Sequence, residues 1–216
     1  MKQLFTFIVF TALFNQARTQ LNVSLRWGTE HIVLDKYYLL SNDSLIFREM
    51  KFYLSDFQFE KDTRKHMILG THLIDLSDSS SFQLFPNFPV DEYERVHFNF
   101  GLDSSYQVSE IVDGPLNPMN GMYWAWNSGY IQFKCTGNSS AIALTDQTFE
   151  YHLGGYRQPF ETLVPIQLAI NGNTLILDIK PFFQQTVDFT SVQRVMIPGK
   201  IAQSYCLELS KSFRSE

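Results

Sequence analysis

The chain has 216 residues, of which 44% are hydrophobic, 18% charged and 15% aromatic, a composition that supplies a sizeable core and excludes disorder. With 17 Lys and Arg against 22 Asp and Glu, a net charge of -5, the basic footprint that phosphate binding needs is missing, and nucleic acid is not an expected partner. The 20 Phe and 10 Tyr, set against 11 Gly and 8 Pro, favour strands, because aromatic rings suit a pleated and half-buried surface.

The chain begins MKQLFTFIVFTALFNQARTQ, with Lys2, an apolar run from Leu4 to Phe14 and then a short polar stretch. That is the layout of a secretory signal peptide over residues 1–20, and the run is too short for the roughly 20 apolar residues of a membrane span. Cleavage removes Lys2 and Arg18 and leaves a more acidic mature chain. No Cys ends the apolar run to take a lipid, and no later segment is long and apolar enough to span. The expected destination is the periplasm or the medium, with no integral membrane span.

Residues 21–216 read as one domain, without a linker, a low-complexity tract or an internal repeat. Strands are expected at residues 21–27, 44–60 (bent), 66–76, 94–100, 122–135, 147–153, 163–170 and 174–180, as short apolar and aromatic runs broken by Asn, Asp, Ser, Gly and Pro. Period-two alternation is clear in Val96, Phe98 and Phe100 and in Phe149, Tyr151 and Leu153. Turn signals lie at 41–44 and 77–81, and Asn171-Gly172-Asn173 is flanked by strands as a hairpin would be. After Pro198-Gly199, the spacing of Ile201, Tyr205 and Leu209 predicts an amphipathic helix over residues 200–213. The fold class that follows is all-β, an antiparallel β-sandwich with a short C-terminal helix. Cys135 and Cys206 are the chain's two cysteines; in an oxidising compartment they fit either one disulfide or two buried thiols.

Chemistry concentrates in two segments. Residues 113–137, DGPLNPMNGMYWAWNSGYIQFKCTG, open with a loop rich in Pro, Asn and Gly and leave it as a strand in which Trp124 and Trp126 share one face, with Met119 and Met122 nearby. Trp pairs fill cores more often than they bind ligands, whereas a rigid loop of this kind is where sites sit. In residues 149–156, FEYHLGGY, alternation puts Glu150 and His152 on the face opposite Phe149, Tyr151 and Leu153, and Gly154 and Gly155 permit close approach. A neutral imidazole is a common ligand for copper and zinc. His31, His66, His72 and His97 are scattered and form no metal motif, and alternation turns His97 towards solvent.

These strings, GPLNPMNGMYWAWNSGYIQFKCTG and FEYHLGGY, preceded by MKFYLSDF, HLIDL and FNFGLDSS and followed by VMIPG, resemble the MbnP-like copper-binding protein family in its Bacteroidetes form. The resemblance spans the mature chain. It implies an exported β-sandwich that binds copper without catalysing a reaction, through histidine and an oxidised tryptophan, kynurenine, made by a dihaem cytochrome c peroxidase-like partner. Carried onto this sequence, it points to Trp124, Trp126 and His152, without distinguishing which Trp is modified. Thioethers suit Cu(I), which adds Met119 and Met122 to the candidate ligands.

Three other readings are open to the residues. Exposed Trp rings lying flat on one sheet would make a carbohydrate platform. Asp103, Asp113 or Glu150 would serve a glycosidase only if two carboxyls faced each other across a cleft. The Asp- and Asn-rich loop 99–120 offers hard oxygen ligands for calcium, although such loops are usually turns.

Overall fold

The computed structural model describes residues 20–41, 43–108, 113–126, 129–143 and 145–216. The expected signal peptide, apart from Gln20, lies outside the described residues, as do Asn127 and Ser128 of the Trp-containing motif. In chain order the elements are β1 (Leu21–Trp27), β2 (Glu30–His31), β3 (Tyr37–Leu40), β4 (Asp43–Lys61), β5 (Arg64–Asp75), β6 (Gln83–Leu84) and β7 (Arg95–Phe100). Then follow α1 (Ser104–Gln107), β8 (Tyr123–Trp124), β9 (Gly129–Ser139), β10 (Thr148–Gly154), β11 (Val164–Ala169), β12 (Thr174–Asp178), α2 (Lys180–Gln185), β13 (Arg194–Val195), α3 (Lys200–Ser210) and β14 (Phe213–Ser215).

The all-β class is as the sequence predicts. A smaller sheet runs β14-β12-β1-β2, with β6 also on β1, and a larger one runs β11-β7-β4-β9-β10-β13. Most pairings are antiparallel, but β1 with β12 and β10 with β13 are parallel, so both sheets are mixed. The Asn-Gly-Asn turn at 171–173 is not a hairpin: β11 pairs with β7 in the larger sheet and β12 with β1 in the smaller, so the turn carries the chain from one sheet to the other.

Strand β4 is the spine. Its first half pairs with β3 on one edge and β9 on the other; its second half pairs with β5 and β7. Two bulges, at Phe47/Glu49 and Ser55/Phe57, reset the alternation, and Asp56 takes a φ of 51° at the second. Each reset returns the apolar set to the same side, so Leu45, Phe47, Met50, Phe52, Leu54, Phe57 and Phe59 all join the main core.

That core is aromatic. Phe47, Phe149, Phe183 and Phe189 pack with ring centroids between 5.2 and 6.3 Å apart, at tilted or edge-on angles apart from one stacked pair. At about 1.5–3 kcal/mol for each buried Phe side chain, such a set fastens α2 and the segment after it onto the larger sheet, and Trp27 of β1 packs on Phe47 and Phe183 from the smaller one. The expected strand 174–180 stops at Asp178, whose carboxylate accepts from the Gly28 and Lys180 amides and turns the chain into α2, burying Phe182 and Phe183. Helix α3 forms over Lys200–Ser210, shorter than the expected 200–213 because Phe213 joins β14; Ala202, Tyr205, Cys206 and Leu209 are its buried stripe, and Ile201, part of the spacing that predicted it, stands on its exposed side. Cys135 and Cys206 are buried free thiols, which resolves the cysteine alternative. Burial pushes both thiols well above their ordinary range, so both stay protonated.

Candidate functional site

Along β4, residues Phe52 to Ser55 are buried without a break. Both faces of the sheet are therefore covered there, and the outer cover is the loop 113–124. The loop is two successive 3-10 turns, Gly114–Leu116 and Pro118–Asn120, whose opening amides are accepted by the side chains of Asp113 and Asn117. Pro115 and Pro118 set the turn dihedrals, and Gly121, at φ 73°, supplies the left-handed residue that ends the second turn. Beneath the loop a second apolar cluster forms from Tyr53, Leu102, Leu116, Met122, Trp124, Tyr130 and Ile131.

Four strand side chains hold the loop by its carbonyls. Tyr53 Oη donates to Pro115 O at 2.8 Å, Tyr130 Oη to Leu116 O at 2.7 Å, Lys51 Nζ to Asn120 O at 3.2 Å and Lys134 Nζ to Gly121 O at 3.3 Å. Two buried glutamines secure the neighbouring backbone: Gln107 accepts from Tyr130 N at 2.7 Å, and Gln132 binds both the amide and the carbonyl of Leu102.

The sequence expects one continuous strand over 122–135, and here the structure differs. The two-residue β8 pairs Tyr123 and Trp124 with Tyr130 and Gly129, and Trp126 lies outside it. The two indoles nevertheless stay together, with ring centroids 5.6 Å apart and planes tilted by 43°. Their environments are unequal: Trp124 is buried, whereas Trp126 is 63% exposed. Trp124 lies on Gly154, where a β-carbon would stand 2.8 Å from the indole and 2.7 Å from Tyr130 O. Gly154 is thus needed for close approach rather than for its dihedral freedom.

His152 is two residues earlier on β10, on the outer face with Glu150, as alternation predicts. Its cross-strand neighbour on β9 is Lys134. The imidazole Nε2 is shielded from solvent and has no hydrogen-bond partner. Burial and then the Lys134 ammonium hold the imidazole pKa below its ordinary value, against a smaller opposing pull from Glu150 and Glu49. The ring is therefore neutral near pH 7, the form that can ligate a metal. Lys134 is itself paired with Glu49 at 2.9 Å, and Lys51 with Asp75 at 3.0 Å and Glu49 at 3.6 Å. A shallow groove of about 350 Å³ runs from His152 past Lys134 and Glu49.

The two thioether candidates part company. Met122 is buried in the second cluster with Trp124, while Met119, at 90% exposure, reaches into solvent from the second turn. Among the described residues no three His, Cys, Asp or Glu side chains gather as a group that could hold a metal. A copper ion at His152 would therefore need ligand atoms of another kind, such as a thioether or a modified indole.

Other expected roles are absorbed by structure. The Asp103 and Asp113 carboxylates cap the starts of α1 and the first 3-10 turn, and Glu150 pairs with Arg194 at 3.3 Å. The unequal, tilted Trp pair is not a flat two-ring platform. His97 faces outward and lies 3.1 Å from the Glu60 carboxylate. Sequence reading did not single out Tyr53, Tyr130, Lys51 or Lys134. The outward phase of Lys51 and Tyr53 on β4 was available from alternation, but their hold on a loop more than 60 residues away was not.

No curated protein matches the chain by sequence. The solved structure of MbnP from Methylosinus trichosporium is similar in fold, with a TM-score of 0.57 and 15% identity over 85% of this chain and 82% of that one. Among the described residues no helix is long and apolar enough to cross a membrane. The MbnP family model matches residues 16–198, a span that takes in the loop, the Trp pair and the His-Leu-Gly strand, and the chain belongs to that family.

Proposed function

We propose that this protein is an exported copper-binding protein, periplasmic or secreted, which holds copper for acquisition, storage or delivery and catalyses no reaction. His152 is the protein's imidazole ligand. Trp124 or Trp126, oxidised to kynurenine by a dihaem peroxidase-like partner, supplies further donor atoms, and Met122, packed with Trp124 in the second cluster, is the candidate thioether. Family membership supports the reading. The observation that carries it is the buried Nε2 of His152, which lacks a hydrogen-bond partner and sits on the strand face against which the Trp124 indole packs two residues further on. A buried polar atom without a partner costs free energy, and a metal ion would supply that partner.

Opening an indole to kynurenine removes one carbon, adds one oxygen and exposes an arylamine beside a carbonyl, where Trp itself offers only an N–H donor. Trp126 is open to an external oxidant and Trp124 is not, so modification at Trp126 would need no unfolding of the second cluster.

The test is copper stoichiometry and affinity on protein from its native host, with intact and peptide mass on the same sample and His152→Ala beside it. One tightly bound copper that is lost in His152→Ala, together with the kynurenine mass on Trp124 or Trp126, is the expected result. A wild-type protein with unmodified tryptophans and no copper would overturn the reading.

A further inference from the structure

Two of the four grips on the loop are lysines, an expensive choice for a simple fastening. Lys51 and Lys134 are only 17% and 15% exposed, so each ammonium gives up most of its hydration and must be repaid by fixed partners. Those partners are shared: Glu49 lies 2.9 Å from Lys134 and 3.6 Å from Lys51, and Asp75 completes the set. Each ammonium then spends a remaining proton on a loop carbonyl, Asn120 O or Gly121 O, immediately before Met122. Lys134 has one further property. It is the residue directly opposite His152 in the β9–β10 ladder, so the two side chains leave the sheet side by side.

The geometry points to Lys134 as a positioning residue: from beside His152 it reaches up to Gly121 and sets where the segment bearing Met122 and Trp124 lies relative to that imidazole. Glu49 orients the ammonium, and Lys51 repeats the contact one residue earlier. The tyrosine grips at Pro115 and Leu116 fasten the far end of the loop, and the lysines act at the end nearest the indoles, together with the β8–β9 pairing and the Ile131 amide, which donates to Met122 O at 2.8 Å. As a link between this loop and a copper ligand, the inference rests on the proposed function; as a statement about the loop and the Trp pair, it can be tested without copper.

The experiment compares Lys134→Met and Lys134→Arg in the full chain, with Lys61→Met, a half-exposed residue at the far end of β4, as control. Near-ultraviolet circular dichroism of the metal-free protein reads the Trp124–Trp126 pair, and competition with a Cu(I) chelator reads affinity. Lys134→Met should change the Trp signal and weaken copper binding about tenfold or more, the range typical of residues that orient metal ligands. Lys134→Arg, which can still donate to Gly121 O and Glu49, should restore both, and the control should change neither. A Lys134→Met protein with the wild-type Trp signal overturns the inference, as does failure of Arg to restore a signal lost in Met. If wild type from the native host has unmodified tryptophans and binds no copper, the proposed function falls; an altered Trp signal in Lys134→Met with recovery in Lys134→Arg would still uphold Lys134 as the residue that places the loop.

Discussion

Gly154→Ala tests the packing on which the site depends. A β-carbon there would stand 2.7 Å from Tyr130 O, 2.8 Å from Trp124 Cζ3 and 3.0 Å from Trp124 Cη2. All three distances are well short of an ordinary contact of about 3.5–4 Å, so neighbours must move by several tenths of an ångström or more. The carbonyl cannot retreat freely, because Gly154 and Ile131 face each other in the β9–β10 ladder. The indole is rigid and already packed in the second cluster. Overpacking of this kind costs about 1–3 kcal/mol, which lowers Tm by roughly 2–12 °C for a domain of this size. Gly154→Ala should cost less in a Trp124→Leu background than in wild type, but should still cost something, since the clash with Tyr130 O remains. The assay is denaturant unfolding followed by Trp fluorescence. A Gly154→Ala protein of wild-type stability, with an unchanged Trp spectrum, would refute the close approach of Trp124 to β10.

The buried Glu60 carboxylate gathers Lys65 at 2.8 Å, His97 at 3.1 Å and Arg95 at 3.4 Å, and its bonds to Lys65 foremost, then to His97, bring its pKa from 4.5 to about 2. A depressed carboxylate contributes stability that is present above its unfolded pKa and lost as pH falls through the folded one. Glu60→Gln should therefore flatten the loss of stability between about pH 4.5 and 2, and an acid limb identical to wild type in urea titrations would contradict the network. Cys135 and Cys206, buried as thiols, should resist alkylation in the native protein and react together on unfolding; rapid native labelling of either, or an intact mass short of two hydrogens, would contradict their placement.

What the sequence carried follows from how local each feature is. The outward placement of His152 is a matter of alternation along one strand, and Phe149, Tyr151 and Leu153 reveal it without any knowledge of the partner strand. The bend expected within 44–60 also left a trace: inward residues run at spacing two until Phe47 to Met50 and Leu54 to Phe57, where the spacing of three marks the bulges. Features set by register or distant pairing left none. Asn171-Gly172-Asn173 has the chemistry of a tight turn, and nothing in those residues says whether the next strand returns to the same sheet or crosses to the other. The parallel match of β1 to β12 joins segments about 150 residues apart and is equally silent.

The Trp motif falls between these cases. Alternation was extended through Trp126, but β8 ends at Trp124, and the chain keeps the two indoles adjacent by another route. That route makes their chemistry unequal. One ring is sealed over Gly154 in the second cluster, the other offers most of its surface to solvent, and only 5.6 Å separates their centres. Reactivity toward an external oxidant and proximity to His152 therefore need not reside in the same indole. The loop that holds the pair, and the lysine that ties this loop to the strand beside His152, are what keep those two properties within reach of one another.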